Sequence, residues 1–370
     1  MKFVIALLLC CMCLCVVNAS ATDLNLHEYD ANSIIPVSGN KILAFRQTDE
    51  IERISVYQNS LPILITDLPV GDEKKIPFSM NDGRMGFIDV DLQTMSYSFF
   101  YYRDDGSMST KVLLGERLSN IGCSGNGFYG LQIINKGFEV IIFSDEGVEA
   151  FRQRFSNCRD VLVKNCMALD DGTYLVSLRI ADQNWEERFV VERLDSKGNI
   201  IWQMNLPEQI DYSNIVLASN EAGGVYLAAQ PDTNDEEVQI YKEVRIWYIG
   251  IDGSIEWDRR FFVDGLIVHP RNGYYDVEQD AFLLYMTCVA KSKGIYDVIS
   301  ISIDENGEMK NITSRDFSIR ADYNFGIKKS PDHKFYAFSN IIDLEAEKKP
   351  LVLMPVEALP SSTIPVFSFN

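Results

Sequence analysis

Residues 170–206 read DDGTYLVSLRIADQNWEERFVVERLDSKGNIIWQMNL, and this stretch decides the fold. Thr173 to Ile180 and Phe189 to Leu194 are dense in β-branched, aromatic and leucine residues, the composition of extended chain. Asp195-Ser196-Lys197-Gly198 then supplies a glycine for the left-handed backbone of a short hairpin. Trp202 follows four residues past that glycine, in a third β-run.

The unit repeats in both directions. A turn before the second strand can be followed through Ser38-Gly39-Asn40, Asn81-Asp82-Gly83, Gly125-Asn126-Gly127, Asp171-Gly172, Ala222-Gly223-Gly224, Gln279-Asp280 and Pro331-Asp332-His333. The intervals are 44, 44, 45, 51, 57 and 52 residues. A second series marks the turn between third and fourth strands: Asp105-Gly106, Asp145-Glu146-Gly147, Asp195 to Gly198, Asp252-Gly253 and Asp304 to Gly307. Two interleaved series with one period predict an all-β chain of four-stranded antiparallel units arranged radially. The expected fold is a seven-bladed β-propeller, rather than one of six or eight blades. Seven units fill residues 22–370 as a single domain, with no room for a second. The last unit needs an outer strand, which either Ile364 to Phe369 or the N-terminal Asp23 to Glu28 could supply.

The pattern Asp-Gly-x-Tyr-Leu-Val, a third strand, then Leu-Asp-x-x-Gly-x-x-x-Trp resembles secreted bacterial propeller repeats related to the quinoprotein dehydrogenase-like fold. The match is best at Asp171 to Val176 with Leu194 to Trp202, and at Gly224 to Ala228 with Ile251 to Trp257. The resemblance implies a fold and not an activity. Enzymes of that kind commonly use a vicinal Cys-Cys or a stacking Trp with Ca²⁺, and no Cys-Cys follows residue 21. A quinone cofactor is therefore not expected.

Lys2, the apolar run Phe3 to Val17 and Ala19-Ser20-Ala21 read as a secretory signal cleaved near Ala21, so residues 1–21 are expected to be removed and the protein to be secreted or periplasmic. The run is too short to span a bilayer, and no later stretch is long enough either. Cys10, Cys11, Cys13 and Cys15 follow bulky residues or another cysteine, which disfavours lipidation. Cys123, Cys158, Cys166 and Cys288 remain. One disulfide among the first three is expected, with the pairing open, while Cys288 in the apolar run Ala281 to Ala290 reads as a small buried hydrophobe.

The formal net charge is −19, or −20 once Lys2 is removed with the signal. This opposes nucleic acid or anionic membrane as partners and suits a monomer with an acidic surface. The aromatics four residues past hairpin glycines, Phe151, Trp202 and Trp257, read as packing between blades.

No nucleophile elbow, phosphate loop or dinucleotide fingerprint occurs, and only His27, His269 and His333 are present, so no catalytic residue is assigned and no zinc site is expected. The informative feature is lopsidedness. Units four to six carry extra length at Ala181 to Glu187, Pro231 to Val244 and Asp264 to Asp276, read as long loops on one face. They contribute Trp185, Tyr241, His269, Arg271, Tyr274 and Tyr275 as candidate binding residues. Asp232, Asn234, Asp235 and Glu236 place oxygens as a Ca²⁺ loop would, without the EF-hand glycine. The resulting expectation is an exported, non-catalytic binding or assembly scaffold for a protein or glycan. The alternative is a carbohydrate-active or ester-cleaving enzyme with carboxylates in the channel. The enzyme predicts converging carboxylates with at least one pKa raised; the scaffold predicts a broad surface without them.

Overall fold

In the computed structural model the described residues are 24–26, 34–206, 214–230, 243–290, 295–317, 326–340, 351–359, 361–362 and 367–369, apart from 49, 59–60, 70, 72, 81, 104–106, 117 and 124–126. Residues 1–21, read from the sequence as a signal, lie outside them.

Each period becomes one antiparallel sheet, and the seven sheets form a seven-bladed propeller. Blade four has the strands Cys158–Ala168, Tyr174–Asp182, Glu187–Leu194 and Ile200–Asn205. Blade six has Ile267–Asp276, Ala281–Ala290, Ile295–Ile303 and Met309–Asp316. First strands of neighbouring blades touch around the centre, as at Ile215–Ser219 against Ile267–Asp276. Turns between first and second and between third and fourth strands share one face, called the hairpin face below. The other connections share the crossover face.

The hairpin turns close as the sequence requires. Gly39, Gly83, Gly172 and Gly223 adopt positive φ, and in the two units without a glycine Asp280 and His333 take that conformation at φ 48° and 60°.

The third-to-fourth turns do more than reverse the chain. A Cβ on Gly198 would lie 2.5 Å from the Phe151 ring, one on Gly253 2.8 Å from Trp202, and one on Gly307 2.9 Å from Trp257. Each hairpin glycine is thus seated on the aromatic of the preceding blade, which explains the fixed four-residue offset. Phe151, Trp202 and Trp257 are each less than a tenth exposed, and burying such a side chain stabilises by about 1.5–3 kcal/mol.

Ring closure uses both termini, for different purposes. Leu24–Leu26 pairs with Leu351–Pro355 and completes blade seven as its outermost strand. Gly39 N–H donates to the Asp332 carboxylate at 3.1 Å, and Lys334 Nζ donates to Asn40 Oδ1 at 2.7 Å, tying blade seven to blade one. The C-terminal chain runs back instead. Ser361 bridges to Arg315 at the edge of blade six, and Phe367–Phe369 adds a fifth strand to Ile255–Val263 of blade five. Sequence offered either terminus for one role, and the structure gives them two.

Two expectations are corrected. Cys123, Cys158 and Cys166 form no disulfide with one another, and each packs within the apolar layers between blades. The extra length of units four and six does not form long loops. Asp264 to Asp276 is almost entirely the ten-residue first strand of blade six, and Ala181 to Glu187 is a tight turn closed by Asp182 N–H to Glu186 O at 3.0 Å. Such runs hold alternating apolar residues that a longer blade face can bury, so extension costs no exposed backbone. Cys288 is fully buried as expected.

Candidate functional site

The strand geometry separates the sequence-selected residues. Trp185 is at the crossover face, at positive φ, 57% exposed, with the Arg159 guanidinium 4.1 Å from its ring centroid. His269 and Arg271 lie toward that same face on the first strand of blade six. His269 Nδ1 pairs with Gln230 Oε1; Arg271 donates to Thr287 Oγ1 at 3.0 Å and to Asn214 Oδ1 at 3.1 Å. Burial lowers the Arg271 pKa, and its two bonds brace blade six against the entry of blade five. Tyr274 and Tyr275 lie at the opposite end of the strand, beside the hairpin face. Tyr241, Asp232, Asn234, Asp235 and Glu236 lie outside the described residues. Among the described residues no group of three or more His, Cys, Asp or Glu is placed to hold a metal.

A different constellation forms where Tyr274 and Tyr275 are. First-to-second turns of blades four to seven converge around a cavity of about 510 Å³ at the channel mouth on the hairpin face. That size suits a small organic ligand. Its blade-four and blade-five side carries Asp170, Asp171, Arg193 and Glu221; its blade-six and blade-seven side carries Tyr274, Tyr275, Lys329 and His333.

Arg193 belongs to the wall. It is 2% exposed and spends its guanidinium on Asp171 Oδ2 at 2.6 Å, Gly223 O at 2.7 Å and Thr173 Oγ1 at 3.1 Å, clamping the turn of blade four to that of blade five. Burial opposes ionisation of Asp171, but hydrogen bonds from Thr173 and Arg193 outweigh it and hold the carboxyl below its ordinary range. Asp170 and Glu221 are exposed carboxylates that accept no hydrogen bond from the described residues.

The other side is aromatic and cationic. Strand alternation sends Tyr274 toward blade seven and Tyr275 toward blade five. The Tyr274 ring is 4.4 Å from His333 and 5.7 Å from Phe335, and burial raises its hydroxyl to about 12. Tyr275 stacks on Tyr226 at 6.0 Å and bonds the Asp280 carboxylate. Lys328 and Lys329 part in the same way. Lys328 Nζ donates to Ile34 O in blade one, whereas Lys329 lies 5.8 Å from the Tyr274 ring centroid. Lys329 has no carboxylate within ion-pair distance among the described residues, and burial alone lowers its pKa. Burial, then the Lys329 charge, lowers the His333 pKa, so its imidazole is neutral at pH 7.

Lys329, His333, Asp170 and Glu221 escaped the reading from sequence because the turns holding them served there as punctuation. The signal was present: turns at one repeat position share one face, so their polar residues encircle the channel.

No protein-family model matches the chain, and no curated protein matches it. Solved structures do match. The polysaccharide lyase Uly1 aligns over 92% of this chain and 98% of its own, at 9% identity and TM-score 0.56. Hydrazine synthase of Kuenenia stuttgartiensis aligns over 84% of this chain and 92% of its own, at 13% identity and TM-score 0.49. Extracellular domains 1-2 of Drosophila Semaphorin 1a align over 92% and 86%, at 8% identity and TM-score 0.45. These identities speak to fold alone, and activity has to be argued from the site. By its own topology and by this likeness the chain is a seven-bladed β-propeller.

Proposed function

We propose that this propeller is a binding protein that takes a small organic ligand into the channel mouth of blades four to seven, outside the cytosol. One observation carries the reading: a cavity of about 510 Å³ is framed by four consecutive turns, with aromatic and cationic groups on one side and, on the other, Asp170 and Glu221, which accept no hydrogen bond from the described residues. Such a site combines apolar contact with a few polar groups that orient the ligand. Export rests on the N-terminal apolar run Phe3 to Val17.

Binding is favoured over hydrolysis by paired carboxylates. Glu192 and Asp297 are the described carboxyls held above their ordinary range, in both cases by burial. Neither lines the cavity: Glu192 accepts from Gln153 at 2.6 Å between blades three and four, and Asp297 lies beside Asp316 in blade six. A general acid for glycoside cleavage needs such a raised carboxyl at the substrate.

Ala222 is exposed on the rim. Ala222→Trp is expected to abolish calorimetric binding of whatever small ligand a glycan and metabolite screen identifies, with melting temperature unchanged. Equal affinity in this variant would place the ligand elsewhere and refute the reading.

A further inference from the structure

The channel-mouth cavity is chemically polarised, and this points to one class of ligand. We propose that it binds a hydroxylated monocarboxylate, a sugar acid, with the carboxylate against Lys329 and hydroxyl groups against Asp170 and Glu221. The inference rests on the cavity being a ligand site and adds which ligand it selects.

Lys329 decides the charge. It lies on the four-residue first strand of blade seven, where retreat into solvent is limited, and among the described residues its ammonium faces the Tyr274 ring and the neutral His333 with no carboxylate in ion-pair reach. A cation-ring contact offsets part of the lost hydration but leaves the ammonium donors open. Arg193, Lys75 and Arg245 are matched by Asp171, Glu52 and Asp258, and the partly buried Arg271 and Lys328 donate to neutral oxygens, whereas Lys329 has neither kind of partner among the described residues. A ligand anion would supply the missing partner.

The same geometry limits that anion to a single charge. One ammonium is available, since Arg193 is fully engaged, and Asp170, Asp171 and Glu221 share the cavity. A phosphate carrying two charges would face three carboxylates with one cation, which like-charge repulsion disfavours. A carboxylate brings one charge and accepts from Lys329.

The acidic side specifies what else the ligand carries. Asp170 and Glu221 can only accept when ionised, so they select hydroxyl or ammonium donors. Hydroxyls fit better with Tyr274 and Tyr275 beside them, because a sugar ring offers an apolar face to an aromatic ring and donors at its edge. Tyr275 is already held by Asp280, and the wall is therefore set before ligand arrives.

The test uses the monosaccharides galacturonate and galactose as probes, with the whole mature protein, Lys329→Gln and Ala222→Trp. Wild type is expected to bind galacturonate at least tenfold more tightly than galactose, and Lys329→Gln to remove that preference while changing galactose affinity less than twofold. Ala222→Trp is expected to weaken both. Preference retained by Lys329→Gln overturns the carboxylate assignment while the cavity stands; binding untouched by Ala222→Trp overturns the cavity as well. No saturable galacturonate binding by wild type overturns the sugar acid. A second readout needs no variant to fold. Saturating galacturonate neutralises the Lys329 charge beside His333 and raises the imidazole pKa seen by NMR, with Tyr274, Asp276 and Asp332 the other groups facing it. An unchanged His333 titration contradicts the proposal.

Discussion

Two lysines on first strands, Lys75 in blade two and Lys329 in blade seven, meet opposite surroundings. Lys75 lies between blades one and two with a side chain 7% exposed, 2.8 Å from the Glu52 carboxylate and 3.6 Å from Asp89, which Lys111 also reaches at 2.8 Å. Every charge there has a counter-charge. Lys329 has an aromatic ring and a neutral imidazole. Both lysines are partly sealed by packing, yet only one is neutralised inside the fold. A closed ion network is part of the architecture, while a cation left open at a channel mouth is free to meet something from outside.

The contrast is broken most forcefully by deleting each charge. Lys75→Met leaves Glu52 and Asp89 buried without their shared cation, and a loss of about 3–5 kcal/mol is expected in urea unfolding. Lys329→Met strands no carboxylate and is expected within about 1 kcal/mol of wild type, on the stabilising side at pH 7. Similar losses at both positions would end the distinction. Arg193 tests it inside the cavity itself. Arg193→Met frees Asp171 and the Gly223 carbonyl and should cost about 2–3 kcal/mol, in contrast to the lysine across from it.

Much of this architecture was legible in the residues. Hairpin glycines and the aromatics four places beyond them reported the period because each glycine of one blade seats on the aromatic of the blade before it. What sequence concealed was direction. Asp264 to Asp276 has the mixed composition of a loop, with His269, Pro270, Arg271 and Asn272 inside it, yet the neighbouring first strands hold it extended. Once it is a strand, His269 and Tyr274 belong to opposite faces, and a single candidate surface divides in two. Lys329 was hidden in a weak repeat, and only alternation along Gly326–Lys329 turns it toward Tyr274 and Lys328 toward blade one. The C-terminal strand on blade five has no counterpart in the repeat, and the period says nothing of it.

A smaller effect is expected from pH. Glu192 has its pKa raised above the ordinary 4.5 by burial, despite the Gln153 amide and the nearby Arg188. A carboxyl raised in the folded state contributes stability that is full below its unfolded pKa and is lost as pH rises through the folded one. Glu192→Gln keeps the Gln153 contact without a charge. Its melting temperature should match wild type near pH 4 and exceed it by about 1–2 °C at pH 8. A constant offset across that range would show that the charge is not what matters there.

The most direct measurement is the titration of the Lys329 ammonium by heteronuclear NMR on the folded protein. An unpaired cation shielded by Tyr274 and His333 is predicted to lose its proton below the ordinary lysine value of 10.5, and to titrate higher when galacturonate occupies the cavity. A pKa at or above 10.5 in the free protein would mean that Lys329 already has a counter-charge, and the case for an anionic ligand at the channel mouth would fall.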